Sequence, residues 1–583
     1  MIRRRTFAVF ALAYIAVCQA AAAGQNTVRR LPVKEYVDKM KAGWVGQMAG
    51  VGWGGPTEFK VKGAIMPESR VPKWRPGMIN QFNQDDIYVE MTFLRTLEVY
   101  GLDASIRQAG IDFAASGYRL WHANRAGRDN LRKGIAPPDS GHPKFNRHAD
   151  DIDYQIEADF SGLIAPGLPN RVIALGRTFG RLMNYGDGVY GGQFVGGMYA
   201  EAFFASDPVK IVRAGLACIP HDSLYAEMGR DMLAWYAEHP DDWEKVWQLI
   251  EDKYHKNPKY TFGLCSGPGG AGKFSIDAKL NGAYIIMGLL YGKGDPDKTI
   301  LISTRCGQDS DCNPSNAGGV LFTTMGFARL PERFTSAINP NGKFSHTPYT
   351  FPKLITVCTA LARQAVLKAG GRVEKDAAGQ DVFVIPVRAP KVGKYAKAYQ
   401  PGPIANSRFT EEEMAKIAKL RAAAGATHRA RDRATRSAPP AAFKAFEKFA
   451  PGWKMTDCGA DMGPGLLAQY RGRKNVFLSH PLNESTPCAL SRKVTIPAAG
   501  KSVLHLAVSH HSRGDWVLIV KADDRELLKT TIGRPTARGG WREIDVDLAA
   551  CAGKTVTLRL LNQPNGWSWE AGYWAKIAIE HRE

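Results

Sequence analysis

The chain has 583 residues, 44% hydrophobic and 10% aromatic, with a formal net charge of +21. That length exceeds what one hydrophobic core supports, so two or three domains are expected, and the apolar content excludes a largely disordered chain. The charge invites a nucleic-acid reading, but Lys and Arg are scattered and their densest group, Arg429, Arg431, Arg433 and Arg436, reads as a solvated Ala-rich linker. No nucleic-acid partner is expected; an anionic polysaccharide is the sharper alternative for that charge.

From the N-terminus, Arg3-Arg4-Arg5, the apolar run Phe7 to Val17 and Ala20-Ala21-Ala22-Ala23 form the three parts of a secretory signal. Residues 1–23 are therefore expected to direct export, giving a periplasmic or extracellular protein, and Arg4-Arg5-Thr6-Phe7 loosely matches twin-arginine export. No later stretch has the roughly 18 apolar residues a membrane span requires, so no span is expected. No CxxC or Cys/His spacing points to zinc. Export permits disulfides, and Cys458 with Cys488 is a candidate pair, although spacing alone does not fix pairing.

Residues 33–53 read as a helix carrying Gly43, Gly46 and Gly50 at helical spacing. Glycine costs a helix about 1 kcal/mol relative to alanine, so three imply close approach to another helix. The loop Trp53-Gly54-Gly55-Pro56-Thr57-Glu58-Phe59 follows. Asn83-Gln84-Asp85-Asp86 precedes a second helix pattern (Ile87, Met91, Leu94, Val99). The stretch His142 to Asp153 is polar and turn-rich, with Asp150, Asp151 and Asp153 before Ile156-Glu157-Ala158-Asp159. Helical spacing recurs from about 170 to 255, from Ile276 to Leu290 and from Leu354 to Leu367. Thr410-Glu411-Glu412-Glu413 opens one more helix with a capping box. After roughly 450 the period becomes two: Leu504, Leu506 and Val508, then Ile544, Val546 and Leu548, then Val556, Leu558 and Leu560. Such strands predict a β-sandwich of about 130 residues.

Three tempting motifs fail. Gly267 to Lys273 has P-loop spacing, but Phe274 stands where Ser or Thr should bind Mg²⁺. Gly263-Leu264-Cys265-Ser266-Gly267 lacks the strand-and-helix context of a nucleophile elbow. Asp309-x-Asp311-x-Asn313 opens like an EF-hand loop, but Pro314 replaces the glycine and Val320 the final glutamate.

Two acid pairs remain, Asp85-Asp86 and Asp309-x-Asp311, each at a helix start. One acid is enough to cap a helix. Two at each start, beside small residues (Asn316-Ala317-Gly318-Gly319), point to a hard cation such as Mg²⁺. Gly43-x-x-Gly46-x-x-x-Gly50 through Thr57-Glu58-Phe59, then Asp85-Asp86, then Gly307-x-Asp309-x-Asp311, resembles the ADP-ribosylglycohydrolase family in order and distance across roughly residues 35–330. The resemblance implies an all-α, orthogonally packed domain holding one or two Mg²⁺ ions. It makes Gln84, Asp85, Asp86, Asp309, Asp311 and Cys312 the metal positions, and Glu58, Asp86 and Asp309 the catalytic ones, Glu58 activating water. It departs where the family usually has Thr: Gln84 still offers a carbonyl oxygen, whereas Cys312 is a poor Mg²⁺ ligand. Glu90, one turn beyond Asp86, is a candidate replacement.

Asp151, Asp153, Glu157 and Asp159 are the expected sugar-binding group, and His142 and His148 the turn residues beside it. Of the sandwich tryptophans, Trp516, Trp541, Trp567, Trp569 and Trp574, most are expected in its core, with a glycan platform as the alternative. Asp515 and Glu570 are a candidate calcium pair. The expected organisation is a signal (1–23), the helical catalytic domain (24–375), an irregular Ala/Arg/Pro-rich extension (376–445) and a jelly-roll-like β-sandwich (446–583). The expected function is a secreted Mg²⁺-dependent hydrolase of an ADP-ribosyl or other furanosyl or glycan bond. The alternative is a catalytically inactive carbohydrate-binding protein on the same fold.

Overall fold

A computed structural model describes residues 27–261, 274–432, 437–483, 486–565 and 569–582, without the side chains of 423–432. The expected signal segment, the two glycine-rich motifs at 263–273, Arg433, Arg436 and Trp567 lie outside the described residues, as do the side chains of Arg429 and Arg431. The chain divides into two units, Met1–Ala424 and Gly425–Glu583.

The first unit opens with β1 (Val28–Pro32) and α1 (Val33–Gly54). It continues through α2 (Asp85–Tyr100), α3 (His122–Arg132), α4 (Asp187–Ala202), α5 (Ala278–Gly292), α6 (Cys312–Met325) and α7 (Phe351–Lys368), with shorter helices between. Every residue of α1 from Ala42 to Gly54 is buried, as is α6 from Cys312 to Thr323. Helices buried on all sides need neighbours at backbone distance. A Cβ on Gly46 would lie 2.3 Å from Gly318 O, and one on Gly50 2.3 Å from Ser315 N. The glycine spacing thus does what the sequence implies: it lets α1 and α6 touch along their backbones.

After α7 the chain departs from expectation. The segment 376–445 is not merely irregular. β2 (Arg372–Lys375) and β3 (Asp381–Pro386) form a hairpin whose second strand pairs antiparallel with β1, giving the order β1-β3-β2. The arm that follows is strapped to the helices by side chains. Asp139 accepts from Ala405 N and Ser407 N, each at 2.8 Å, and the Tyr190 hydroxyl accepts from Ala396 N at 2.8 Å. The arm leads into α8 (Glu411–Asp432). Its capping box is present: Thr410 Oγ1 accepts from Glu413 N at 3.2 Å, and Glu413 Oε2 accepts from Thr410 N at 2.8 Å.

Among its described residues the second unit holds α9 (Pro440–Phe449) and ten strands: β4 (Lys454–Thr456), β5 (Gly465–Tyr470), β6 (Arg473–Ser479), β7 (Cys488–Thr495), β8 (Lys501–His510), β9 (Trp516–Ala522), β10 (Arg525–Ile532), β11 (Arg542–Asp547), β12 (Thr555–Gln563) and β13 (Gly572–Arg582). They form two antiparallel sheets, β10-β9-β12-β7-β4 and β11-β8-β13-β6-β5. One core joins them: Leu490, Leu518, Val520, Leu558 and Leu560 from the first meet Leu504, Leu506, Val508, Val546 and Trp574 from the second. The alternating residues point inward as expected. Cys458 and Cys488 are neighbours in this core, both as free thiols. The candidate calcium pair is otherwise occupied, because Asn565 bridges it: Asp515 Oδ1 accepts from Asn565 Nδ2 at 3.1 Å, and Glu570 Oε2 accepts from Asn565 N at 2.8 Å.

Candidate active site

The close pairing of α1 and α6 sets the site. α1 ends at Gly54, where a Cβ would fall 2.1 Å from Ser310 O, and the chain turns through Gly55–Thr57. Two backbone bonds of 3.0 Å fix the loop, Phe59 N donating to Gln308 O and Gln308 N to Val61 O. The Thr57 and Ser310 hydroxyls meet at 2.8 Å. Glu58 is thereby held against the start of α6.

Carboxylate oxygens of Glu58, Asp309 and Asp311 lie within 4.8 Å of one another. Ligand atoms of Asp86, Asp311 and Cys312 form a second such group, so Asp311 belongs to both. Asp86, Asp309, Asp311 and Cys312 are buried, whereas Glu58 is exposed as a residue with its carboxyl turned toward the acids. Gln84 precedes α2 with its amide nitrogen against Gly55, 3.1 Å from where a Cβ would stand. Neither Gln84 nor Asp311, the residues at the two helix starts, makes a side-chain cap. The Cys312 thiol donates to Asp86 Oδ2 at 3.3 Å, while Asp86 Oδ1 is buried with no partner among the described residues.

Crowded carboxylates in a poorly solvated site hold protons. Burial, then the charges of Asp311 and Asp85, push Glu58 up to about 8, and Lys60 offsets part of this. Burial and Asp311 raise Asp85 to about 6. Burial raises Asp86, Asp309 and Asp311, and repulsion from Asp311 adds to the first two. Burial pushes the Cys312 thiol well above its ordinary value, so it stays protonated.

The second acidic group divides by hydrogen bonding. Asp151 has both oxygens occupied: Oδ2 accepts from Ala123 N at 2.9 Å, and Oδ1 from Asp153 N and Asn184 Nδ2, each at 3.0 Å. Asp159 is likewise filled, by the Tyr199 hydroxyl and by Asn316 Nδ2 at 2.7 Å. Asp153 accepts from Asn124 N at the start of α3. Glu157 accepts from Asn124 Nδ2 through one oxygen, and its other oxygen, Oε2, is buried without a partner among the described residues. The charge of Asp85 acts on both Asp153 and Glu157, so this group shares the field of the first.

Glu90 does not replace a missing ligand. Its oxygens accept from Gln47 Nε2 on α1 and from Phe160 N at 2.9 Å, tying two helices together. His142 is the turn residue expected: Nε2 pairs with Gly402 O at 2.9 Å, and Nδ1 accepts from Lys144 N at 3.1 Å.

Sequence reasoning missed the rings beside the acids. Phe59, next to Glu58, packs on Phe274 (centroids 5.0 Å apart), Phe274 on His122 (5.8 Å) and His122 on His148 (5.3 Å). Tyr88, three residues beyond Asp85, meets Tyr118 at 4.8 Å and His346 at 5.2 Å. Only the position of Phe59 and Tyr88 beside the acids hinted at this; the partners come from distant segments.

Four carboxylates, a partnerless buried Asp86 oxygen and mutual repulsion fit a hard divalent cation such as Mg²⁺. The sequence profile for ADP-ribosylglycohydrolase matches residues 32–369. The chain belongs to the ADP-ribosylglycohydrolase family. The matched span holds Glu58, both acid pairs and the second carboxylate group, and family membership supports a hydrolase. The β2–β3 hairpin, the arm and the sandwich lie outside it. Among solved structures, an ADP-ribosylglycohydrolase-related protein complex is 15% identical, with 57% of this chain and 99% of that chain covered and a TM-score of 0.38. The Stig cyclase Fisc from Fischerella sp. TAU is 13% identical, covering 23% and 86%, TM-score 0.19. CBM35 from Paenibacillus barcinonensis is 16% identical, covering 23% and 94%, TM-score 0.16. No curated protein matches the chain.

Proposed function

We propose that the protein is an exported Mg²⁺-dependent hydrolase that cleaves a glycosidic bond to an ADP-ribosyl or other furanosyl unit. The observation that carries this reading is the gathering of Glu58, Asp86 and Asp309 around Asp311, with the charge of Asp85 acting on Glu58 and an Asp86 oxygen left without a partner among the described residues. Asp85, Asp86, Asp309 and Asp311 would hold the ion, with the Gln84 carbonyl oxygen a further donor. Bound there, it supplies orientation of substrate hydroxyls and neutralises the crowded carboxylates.

The chain's own residues supply the rest. Glu58 takes a proton from the attacking water; burial of its carboxyl and then its acidic neighbours raise its proton affinity, as a base working near neutral pH requires. Glu157 accepts a sugar hydroxyl through Oε2, and Asp153 stands beside it. Asp151 and Asp159, with both oxygens filled, position that pair instead of touching substrate. Cys312 steadies Asp86 through its thiol proton, and Mg²⁺ prefers the oxygens around it. The charged, apolar and alanine-rich start of the chain supports export.

The test is release of free sugar from ADP-ribosyl-arginine and a panel of pentofuranosides, with and without EDTA. Turnover that stops with EDTA and returns with Mg²⁺ supports the reading. Turnover indifferent to chelation removes the metal from it. No turnover on any substrate, with sugar still bound, favours the inactive binding protein, the reading the Cys312 and Gln84 departures suggest.

A further inference from the structure

The second unit carries a surface that the hydrolase reading leaves unused. Three of its five described tryptophans are core: Trp453, Trp516 and Trp574 are at most 2% exposed. Trp569 is 40% exposed, with a left-handed backbone (φ 62°) that bulky residues rarely adopt. His511 stacks parallel to it at 4.5 Å, and the Arg513 guanidinium lies 4.2 Å from its ring centroid.

The tip of the β5–β6 hairpin extends this surface. The Tyr470 hydroxyl donates to His510 O at 3.0 Å, and the Trp541 indole donates to Arg471 O at 3.0 Å. Arg471 lies over the Tyr470 ring at 5.6 Å. Rings and guanidinium groups therefore run together from Trp541 to Trp569. Arg471 and Arg513 are exposed, and neither pairs with a carboxylate among the described residues. Arg473, by contrast, is paired with Glu543 at 2.5 Å. Burial, then the positive charges of Arg513 and Arg471, hold His511 below the usual histidine range.

We propose that this surface binds an acidic polysaccharide, its rings packing on sugar faces and the Arg471 and Arg513 forks taking uronate carboxylates. The planar guanidinium fork matches a carboxylate in two parallel bonds, and an aromatic ring covers the apolar face of a sugar while its polar edge stays wet. A nucleic-acid surface would neutralise a longer run of phosphates, roughly 6–10 in strong binders; two unpaired guanidinium groups suit a short run of singly charged sugars. The inference is independent of the hydrolase reading, because it is tested by binding alone.

The experiment is titration calorimetry of the full chain with polygalacturonate, neutral galactan and single-stranded DNA. Binding to polygalacturonate and not to galactan is expected. The double variant Arg471→Ala/Arg513→Ala, and separately Trp569→Ala, should weaken it by at least about 10-fold, near 1.4 kcal/mol. Arg471→Lys/Arg513→Lys keeps the charge, loses the fork and should also bind more weakly. Circular dichroism should match the parent, and hydrolysis of a small soluble substrate should be unchanged. Absence of polygalacturonate binding, equal affinity for DNA, or arginine variants that bind like the parent would each overturn the proposal.

Discussion

The Cys312 thiol, beside the second acid pair, reaches Asp86 Oδ2 of the first across 3.3 Å and 226 positions of chain. That contact exists because α1 and α6 touch at their glycines and α2 starts beside them.

Chelator-treated protein should lose stability as pH rises. Glu58 goes from an ordinary 4.5 to about 8 in the fold, and Asp85 from 3.8 to about 6. Each binds its proton more tightly folded than unfolded, so protonation favours the fold. Their contribution is present below about pH 4 and is lost between there and pH 8. Thermal melts across that window should show the metal-free protein falling, and Mg²⁺ should restore more at pH 8 than at pH 5.

Glu58→Gln removes a base without removing volume. Turnover should drop by about 10²–10⁴-fold, the range for loss of general-base catalysis, while the melting temperature holds or rises because one repelled charge is gone. Unchanged turnover would show that Glu58 takes no proton.

Glu157→Gln should act on binding. Its buried Oε2 has no partner among the described residues, so the variant should raise KM more than it lowers kcat. Asp151→Ala should instead destabilise the fold by about 1–3 kcal/mol, because it strands Ala123 N and Asp153 N, while Asn184 Nδ2 keeps Ala149 O and Asp151 O as acceptors. Steady-state kinetics and melts separate the two.

Gly50→Ala places a methyl 2.3 Å from Ser315 N in backbone that has little room to yield. Overpacking of this kind costs about 1–3 kcal/mol or more, and here it also displaces the start of α6, so metal affinity should fall with stability. Gly77→Ala, with open space around the new methyl, is the matched control and should be nearly silent.

Periodicity made the helical body, the sandwich strands and the glycine contact legible, since each is a local pattern. Doubling of acids at two helix starts made the cluster legible, with help from family resemblance. What stayed hidden depended on partners distant in sequence. Asp151, Asp159 and Glu157 look alike in the chain, and only Asn184, Tyr199 and Asn316 decide which carboxylates are filled. Glu90 looked like a ligand by spacing on α2 until Gln47 and Phe160 occupied it. The strap from 387 to 410 has no period at all, because side chains of the helical unit hold its backbone.

Asp311 is shared by both groups of ligand atoms, which makes it the most direct handle on a shared ion. Titration calorimetry of Mg²⁺ into chelator-stripped protein should give a saturable binding isotherm for the parent and none for Asp311→Asn, with the fold of the variant intact by circular dichroism. An isotherm for Asp311→Asn that overlays the parent's would contradict the account.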